Sequence, residues 1–294
     1  MVIKRTVSER VFEVFNILFL IFLSLITMYP LLYVLFASFS DSGDLARHHG
    51  LLLKPYGIHL EAYKLVFKNP IVGTSYFNTL FNVAAGLIIS MILTTVGAYC
   101  LSRLNLKWGT AIMMVIVFTM WFSGGTIPFY LTVSSLGIPN TRWAMILPRA
   151  ISTYNLIVMR TAFQQLPPSL EESARLDGAN DLVILTRIIV PIAMPTIAVI
   201  TLFYASSQWN AWFDAMMFIN KRTLFPLQLF LREILVLNST DSMMAGNVFQ
   251  GDQVQLGETI KYATVMIATV PILCVYPFLQ KYFVKGVMIG AVKG

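Results

Sequence analysis

Tyr204, Gln208, Trp209, Asn210, Trp212 and Asp214 fall within one short stretch, and their side chains are of the kinds that hold polar ligands. Aromatic faces stack on the C–H surfaces of a sugar while amides and hydroxyls reach its oxygens, the mix expected of a small polar-ligand site. The same aromatics fit an interfacial belt at a membrane surface, although Gln208 and Asn210 suit a lipid-facing belt poorly. Gly124, Gly125 and Pro128 mark a second place of interest. They interrupt an apolar run, and irregular backbone at membrane depth is tolerated where it faces protein or a wet cavity. Close helix packing through the glycines is the other reading. Arg149 and Arg160 bracket another apolar run, where each can snorkel to headgroups. An inward Arg149 would instead be an intramembrane cation, with an acidic sugar as its natural partner.

Other chemistries find no support. Ser123 to Gly125 reads SGG, but no GxxxxGK[ST] phosphate loop occurs anywhere, so this chain does not itself hydrolyse ATP. His48, His49 and His59 share one loop without Cys or carboxylates at ligand spacing, which argues against a metal site. Cys100 and Cys274 lie within apolar runs and read as small apolar residues. The net charge of +7 is scattered over the ends of apolar runs, a pattern of juxtamembrane anchoring to lipid rather than nucleic-acid binding.

The elements that must position these residues cross a membrane. Hydrophobic residues make up 57% of the sequence and charged residues 12%, far below the roughly 25% charged of soluble domains. Spans are expected at 11–38, 76–101, 108–133, 143–164, 192–213 and 260–279, each near or above the roughly 20 residues that cross the hydrocarbon. The first is longer than the apolar core of a signal peptide and reads as an uncleaved anchor. The fold class is therefore all-α and polytopic, a single transmembrane domain over 1–294 with both termini on one side. Lys4, Arg5 and Arg10 crowd the first span, which places the termini in the cytoplasm.

One polar segment, 165–191, lies between two spans. Ser169 and Glu172 have capping-box spacing, which predicts a helix from Leu170. Glu171 and Arg175 stand one turn apart as a favourable pair, and Gly178 is placed to stop the helix in a left-handed conformation. Asn180 is placed to cap a second helix that Pro191 ends. Ser173 and Ala174 are small enough for the first helix to lie inside a partner's groove, with Leu170 as an apolar contact and carboxylates at the rim. An amphipathic connector lying on headgroups is the alternative, but such helices usually carry Lys and Arg rather than Glu171, Glu172 and Asp177.

Glu172, Ser173, Ala174, Gly178, Ile188, Val190 and Pro191 match the pattern Glu, small, Ala, Gly, Ile, aliphatic, Pro at set spacing. Asp177, Gly178 and Ala179 add a DGA, and Pro195 follows. This resembles the cytoplasmic EAA loop of permease subunits in bacterial ABC importers, with Ser173 and Val190 replacing the usual Ala and Leu. The tail QKYFVKGVMIGAVKG, 280–294, is similar to that of the maltose-type carbohydrate-uptake permeases, including the subgroup serving oligosaccharides released from polysaccharides such as alginate. WNAWFD from Trp209 matches their span-five segment, except that Ala211 stands where an acidic residue is frequent.

The resemblance implies a type I importer permease that passes a carbohydrate inward by alternating access. Its loop, from Ser169 through Leu170, Glu171, Glu172, Ser173, Ala174, Arg175, Asp177 and Gly178 to Ala179, would couple to an ATPase. It further implies a second permease subunit, two cytoplasmic ATPase subunits that hold ATP and Mg, and an extracytoplasmic solute-binding protein. No cofactor is expected in this chain, which would reside in the bacterial cytoplasmic membrane. Two rival classes differ in what they require. An ion-coupled secondary transporter needs intramembrane carboxylates, and only Asp214, at a span edge, offers one after the first span. A membrane-embedded glycan-processing enzyme needs a carboxylate or His cluster at the bilayer face, which the three His do not supply.

Overall fold

Apolar runs that lack helix breakers become single long helices here, and runs that contain them do not. The computed structural model describes residues 7–47, 50–103, 106–236 and 259–274, all helix, turn or loop with no strand among them. The predicted tail 280–294, the end of the sixth span and about half of the loop before it lie outside the described residues. Among the described residues, two helices are long and apolar enough to cross a membrane alone, α1 (Val7–Phe39) and α4 (Pro70–Ser102). At 1.5 Å per residue each is about 50 Å long, so both outreach the roughly 30 Å hydrocarbon layer.

The third run breaks at Gly124 and Gly125, as its composition suggests. Helices α5 (Gly109–Trp121) and α6 (Thr126–Ser135) meet at 116°. The fourth expected span is not continuous. It consists of α7 (Trp143–Ile146), a 3-10 turn at Leu147–Arg149 containing Pro148, and α8 (Thr153–Gln164). Ser152 starts α8 afresh, because its extended backbone lets the hydroxyl accept the Asn155 amide.

Helix α9 (Ser169–Leu176) is followed by α10 (Asp181–Ile184), a π turn at Leu185–Ile189 and α11 (Val190–Ile192). That composite path bends by 87° into α12 (Met194–Trp209). The fifth span ends earlier than expected: Asn210 returns both its amide groups to the Ser206 carbonyl, and α13 (Trp212–Phe218) is a separate helix. A last apolar helix, Thr259–Cys274, occupies most of the sixth expected span.

The chain divides into two compact units at Asn69/Pro70, Glu233/Ile234 and Val270/Pro271. In the first, Ala37 of α1 packs with Leu45 and Leu52, and the Leu52 amide donates to the Tyr29 hydroxyl at 3.0 Å. Short helices α2 (Ser42–Arg47) and α3 (Glu61–Lys68) lie in its loop.

Two cores of the second unit position the site. One joins Ala98 and Tyr99 of α4, Leu156, Met159 and Phe163 of α8, and Ile200 and Tyr204 of α12. The other joins Val133 of α6, Ala144 and Met145 of α7, and Ala215 and Phe218 of α13. Broken spans thus place one half in each core, while α4 reaches both. Near its start, Asn78 donates to the carbonyls of Thr223 and Phe225 at 2.8 and 3.2 Å. Near its end, the Leu101 carbonyl accepts from Arg160 Nε at 2.8 Å. Arg160 therefore does not snorkel as expected; it closes the C-terminus of α4.

Three helices meet at Tyr204. Its hydroxyl bonds Thr94 Oγ1 at 2.6 Å and accepts the Ser152 amide at 2.9 Å, pinning α12 to α4 and to the start of α8. Tyr204→Phe should leave both groups unpaired at a cost of about 1 kcal/mol, the scale of interhelical hydrogen bonds in membrane proteins. The expected result is a lower thermal unfolding midpoint in detergent, with an unchanged helix content.

Candidate functional site

Helix α9 begins without the predicted capping box. Ser169 is already its first residue, no side chain caps it, and the carbonyls of Pro167 and Pro168 accept the amides of Leu170, Glu171 and Glu172 at 3.0–3.2 Å. Two prolines preset the helical φ and bring no amide of their own to satisfy, so the hydroxyl is not needed. The helix ends as its composition predicts. Gly178 has φ +84, its amide donates to Arg175 at 3.0 Å, and the Ala179 amide reaches back to Ala174 at 2.9 Å. This is a Schellman closure with glycine in the left-handed position. A side chain at Gly178 would meet nothing within 4 Å, so only the backbone conformation demands glycine there. Asn180 caps the next helix by accepting the Val183 amide at 2.9 Å, as expected.

Pro191 does not end that helix. The π turn ahead of it widens the helical ladder where the proline lacks an amide, and the path continues to Ile192.

Packing and charge both fasten this loop to the bundle. Ala174, Ile184, Leu185 and Ile189 are buried in the same core as α4, α8 and α12, so Ala174 faces its own chain rather than a partner's groove. The expected Glu171–Arg175 pair is absent. Glu171 pairs with Arg103, just beyond the end of α4, and Arg175 pairs with Asp181 across the Gly178 corner. The Arg103 guanidinium lies 3.8 Å over the Tyr99 ring, and the Tyr99 hydroxyl donates to Asp181 at 3.3 Å. Burial depresses the Arg103 pKa from its ordinary value, yet a guanidinium that starts so high stays charged. Together these residues line a cleft of about 820 Å³ with Gln164, Leu166 and Glu172.

Leu170, Ser173 and Asp177 are exposed, as is Glu172 at the edge of this cleft, and so are Leu176 and Leu182, at 89% and 67%. The two leucines were missed in the sequence because nothing in their local pattern separates an exposed leucine from a core one. Arg103 was visible only as a positive flank, since its partner is fixed by tertiary packing.

Residues predicted to line a path separate into two groups. Tyr204, Gln208 and Trp209 are buried between helices, and Gln208 occupies the space where a Cβ on Gly86 of α4 would lie. Asn210 is exposed at the end of α12, and Trp212 is partly exposed with Arg232 lying 5.1 Å over its ring. Gly124 and Gly125 are also exposed, and side chains there would meet at most Pro128 at 3.6 Å. Close packing inside this chain is thus not why the glycines are present; the 116° corner, with Gly125 at φ +87, is. Arg149 does not snorkel alone, because it pairs with the buried Asp214. Arg142, which no local pattern singles out, is a further cation, donating to Asn78 Oδ1 at 2.9 Å beside the rings of Phe77 and Phe81. Among the described residues, no group of three or more His, Cys, Asp or Glu could hold a metal ion.

A helical membrane bundle with bent spans and a capped, two-helix loop fastened into its core describes a transport subunit. The chain belongs to the family of binding-protein-dependent transport system inner membrane components, whose model matches residues 77–289. That family is of ABC permeases, transport subunits rather than enzymes. The polygalacturonan/rhamnogalacturonan transport system permease protein YtcP of Bacillus subtilis is 41% identical over 88% of this chain and 90% of its own. The protein LplC of the same organism is 42% identical over 98% of this chain and 97% of its own. Among solved structures, a chain of a bacterial ABC transporter involved in import of the acidic polysaccharide alginate is 34% identical. It superposes with a TM-score of 0.86 over 95% of this chain and 99% of that one.

The Arg103–Glu171 pair should hold α9 in place. Replacing Arg103 by Gln leaves Glu171 without its cation and should loosen the helix by about 1 kcal/mol, raising amide exchange across 170–179 about fivefold. The exchanged pair Arg103→Glu with Glu171→Arg should recover most of the protection.

Proposed function

We propose that this chain is one half of the translocation pathway of an ATP-driven importer, and that 165–191 is the handle through which cytoplasmic ATPase subunits move the spans. The observation that carries this reading is the burial of Ala174, Ile184, Leu185 and Ile189 in one core with α4, α8 and α12. A force on α9 is thereby delivered to three membrane helices without an intervening flexible joint. Leu170, Leu176 and Leu182 supply apolar contact on the outward side, with Glu172 and Asp177 at its rim. In this reading the loop and both termini are cytoplasmic. A second permease subunit completes the pathway, a solute-binding protein delivers the cargo outside, and the ATPase subunits hold ATP and Mg.

The cargo is an oligosaccharide, and its class is acidic. Relatives named for polygalacturonan and rhamnogalacturonan and for alginate support that class. So does the charge of the end remote from the loop: residues 122–150 and 210–233 contain the cations Arg142, Arg149, Lys221, Arg222 and Arg232 against the carboxylates Asp214 and Glu233. Asn210 and Trp212 provide the exposed amide and aromatic face there.

The reading is tested in proteoliposomes containing the full complex. The purified chain alone should show no ATP hydrolysis, whereas the complex should hydrolyse ATP faster with loaded binding protein. Gly178→Val strains the left-handed corner and misdirects α10. It should insert normally yet reduce ATPase-subunit copurification or uptake per ATP by at least tenfold. If copurification and uptake both match the unsubstituted complex, the handle interpretation is wrong. Glu172→Ala, with no capping role to lose, should have a smaller effect through the docking surface alone.

A further inference from the structure

Arg149 ends the 3-10 turn that interrupts the fourth span, so it projects from irregular backbone and not from a helix face. Its Nη2 donates to Asp214 Oδ1 at 2.9 Å, and its Nε is paired with Oδ2 of the same carboxylate. The two partners are unequally covered: the Asp214 side chain is 7% exposed and that of Arg149 is 56% exposed. A bidentate carboxylate therefore grips one edge of the guanidinium from inside the protein. The other edge, with Nη1, makes no hydrogen bond among the described residues. One side of the guanidinium is bounded by the Phe129 ring, 5.9 Å away, which belongs to α6 beyond the Gly124–Gly125 corner.

A buried carboxylate that orients an exposed guanidinium is the arrangement by which a protein presents an arginine to an external anion. Releasing Asp214 to exchange partners would strand a buried charge, so the cargo must add to the free edge and not displace the aspartate. The five cations against two carboxylates at this end offset the second negative charge brought by such a ligand.

We propose that Arg149 is the residue that reads a carboxylate on the cargo, with Asp214 as its positioning residue. This rests on the reading of the chain as an oligosaccharide importer subunit and adds the atom that discriminates an acidic sugar from a neutral one. A uronate carboxylate would accept from Nη1 and the outward N–H of Nη2, while Phe129 covers the adjoining C–H surface. Because a guanidinium fork matches a carboxylate better than an ammonium does, lysine should replace it only partly.

The experiment measures concentration-dependent uptake of trigalacturonate and of its fully methyl-esterified form by the assembled complex with its binding protein. Arg149→Gln should raise the KM for trigalacturonate at least tenfold more than that for the ester. Arg149→Lys should recover part of that loss. Asp214→Asn, which misorients the guanidinium but keeps its charge, should raise the KM for trigalacturonate about threefold. Equal losses on both sugars would make the pair a structural strut and overturn the proposal, as would no loss on either. If the ester is not carried even by the unsubstituted complex, the comparison of Arg149→Lys with Arg149→Gln on trigalacturonate decides, and equal impairment overturns the assignment. Failure of the unsubstituted complex to take up any oligosaccharide would instead refute the importer reading.

Discussion

Four aliphatic side chains of one polar loop are buried among the membrane helices, and the rest of the arrangement depends on that burial. Ala174, Ile184, Leu185 and Ile189 give a solvent-facing segment an anchor in the core formed by α4, α8 and α12. Close-packed interiors transmit displacement because they have little room in which to absorb it. The Schellman closure at Gly178 and the cap at Asn180 then fix the angle between the two loop helices. The ion pairs from Arg103 and Asp181 restrain their rotation. Such pairs are individually modest in solvent, but here they act on a segment that packing has already placed.

The second unit combines one unbroken span with three interrupted ones. Interruptions at Gly124–Gly125, Arg149–Ser152 and Asn210–Ala211 separate a core on the loop side from a core remote from it. Helix α4 is fastened at both, through Asn78 at one end and Leu101 at the other. Relative movement of the two cores would bend the interrupted spans at corners that already exist and would work against the fastening of α4 at its two ends. Broken spans with polar groups at the break are found where backbone lines a cavity, which agrees with an exposed corner at Gly125.

What the sequence could reveal follows from how local each determinant is. The runs that became α1 and α4 were legible from composition alone. Gly178 and Asn180 were legible because a helix end is decided by a few adjacent residues. Ser169 was misread because two prolines do the same work through their carbonyls. Glu171 was assigned to Arg175 because helix spacing favours it, but Arg103 lies closer once α4 and α9 pack. Pro191 is an ordinary stop signal that a preceding π turn overrules. Of the residues expected to line a path, Asn210 and Trp212 stood out by type and only the structure shows that they are exposed, whereas the partnership of Arg149 with Asp214 joins positions too distant for any local pattern.

That distance bears on how the chain is made. Helix α8 has 12 residues, about 18 Å, and cannot cross the bilayer unaided. Its missing length is supplied by the turn holding Arg149, whose counter-charge lies 65 residues downstream. The Ser152 amide likewise awaits Tyr204, 52 residues later. At about 5 to 20 residues per second, the ribosome delivers Asp214 roughly 3 to 13 seconds after Arg149. Through that interval the fourth segment has neither the Asp214 carboxylate for Arg149 nor the Tyr204 hydroxyl for the Ser152 amide, so its final packing follows the arrival of the fifth segment.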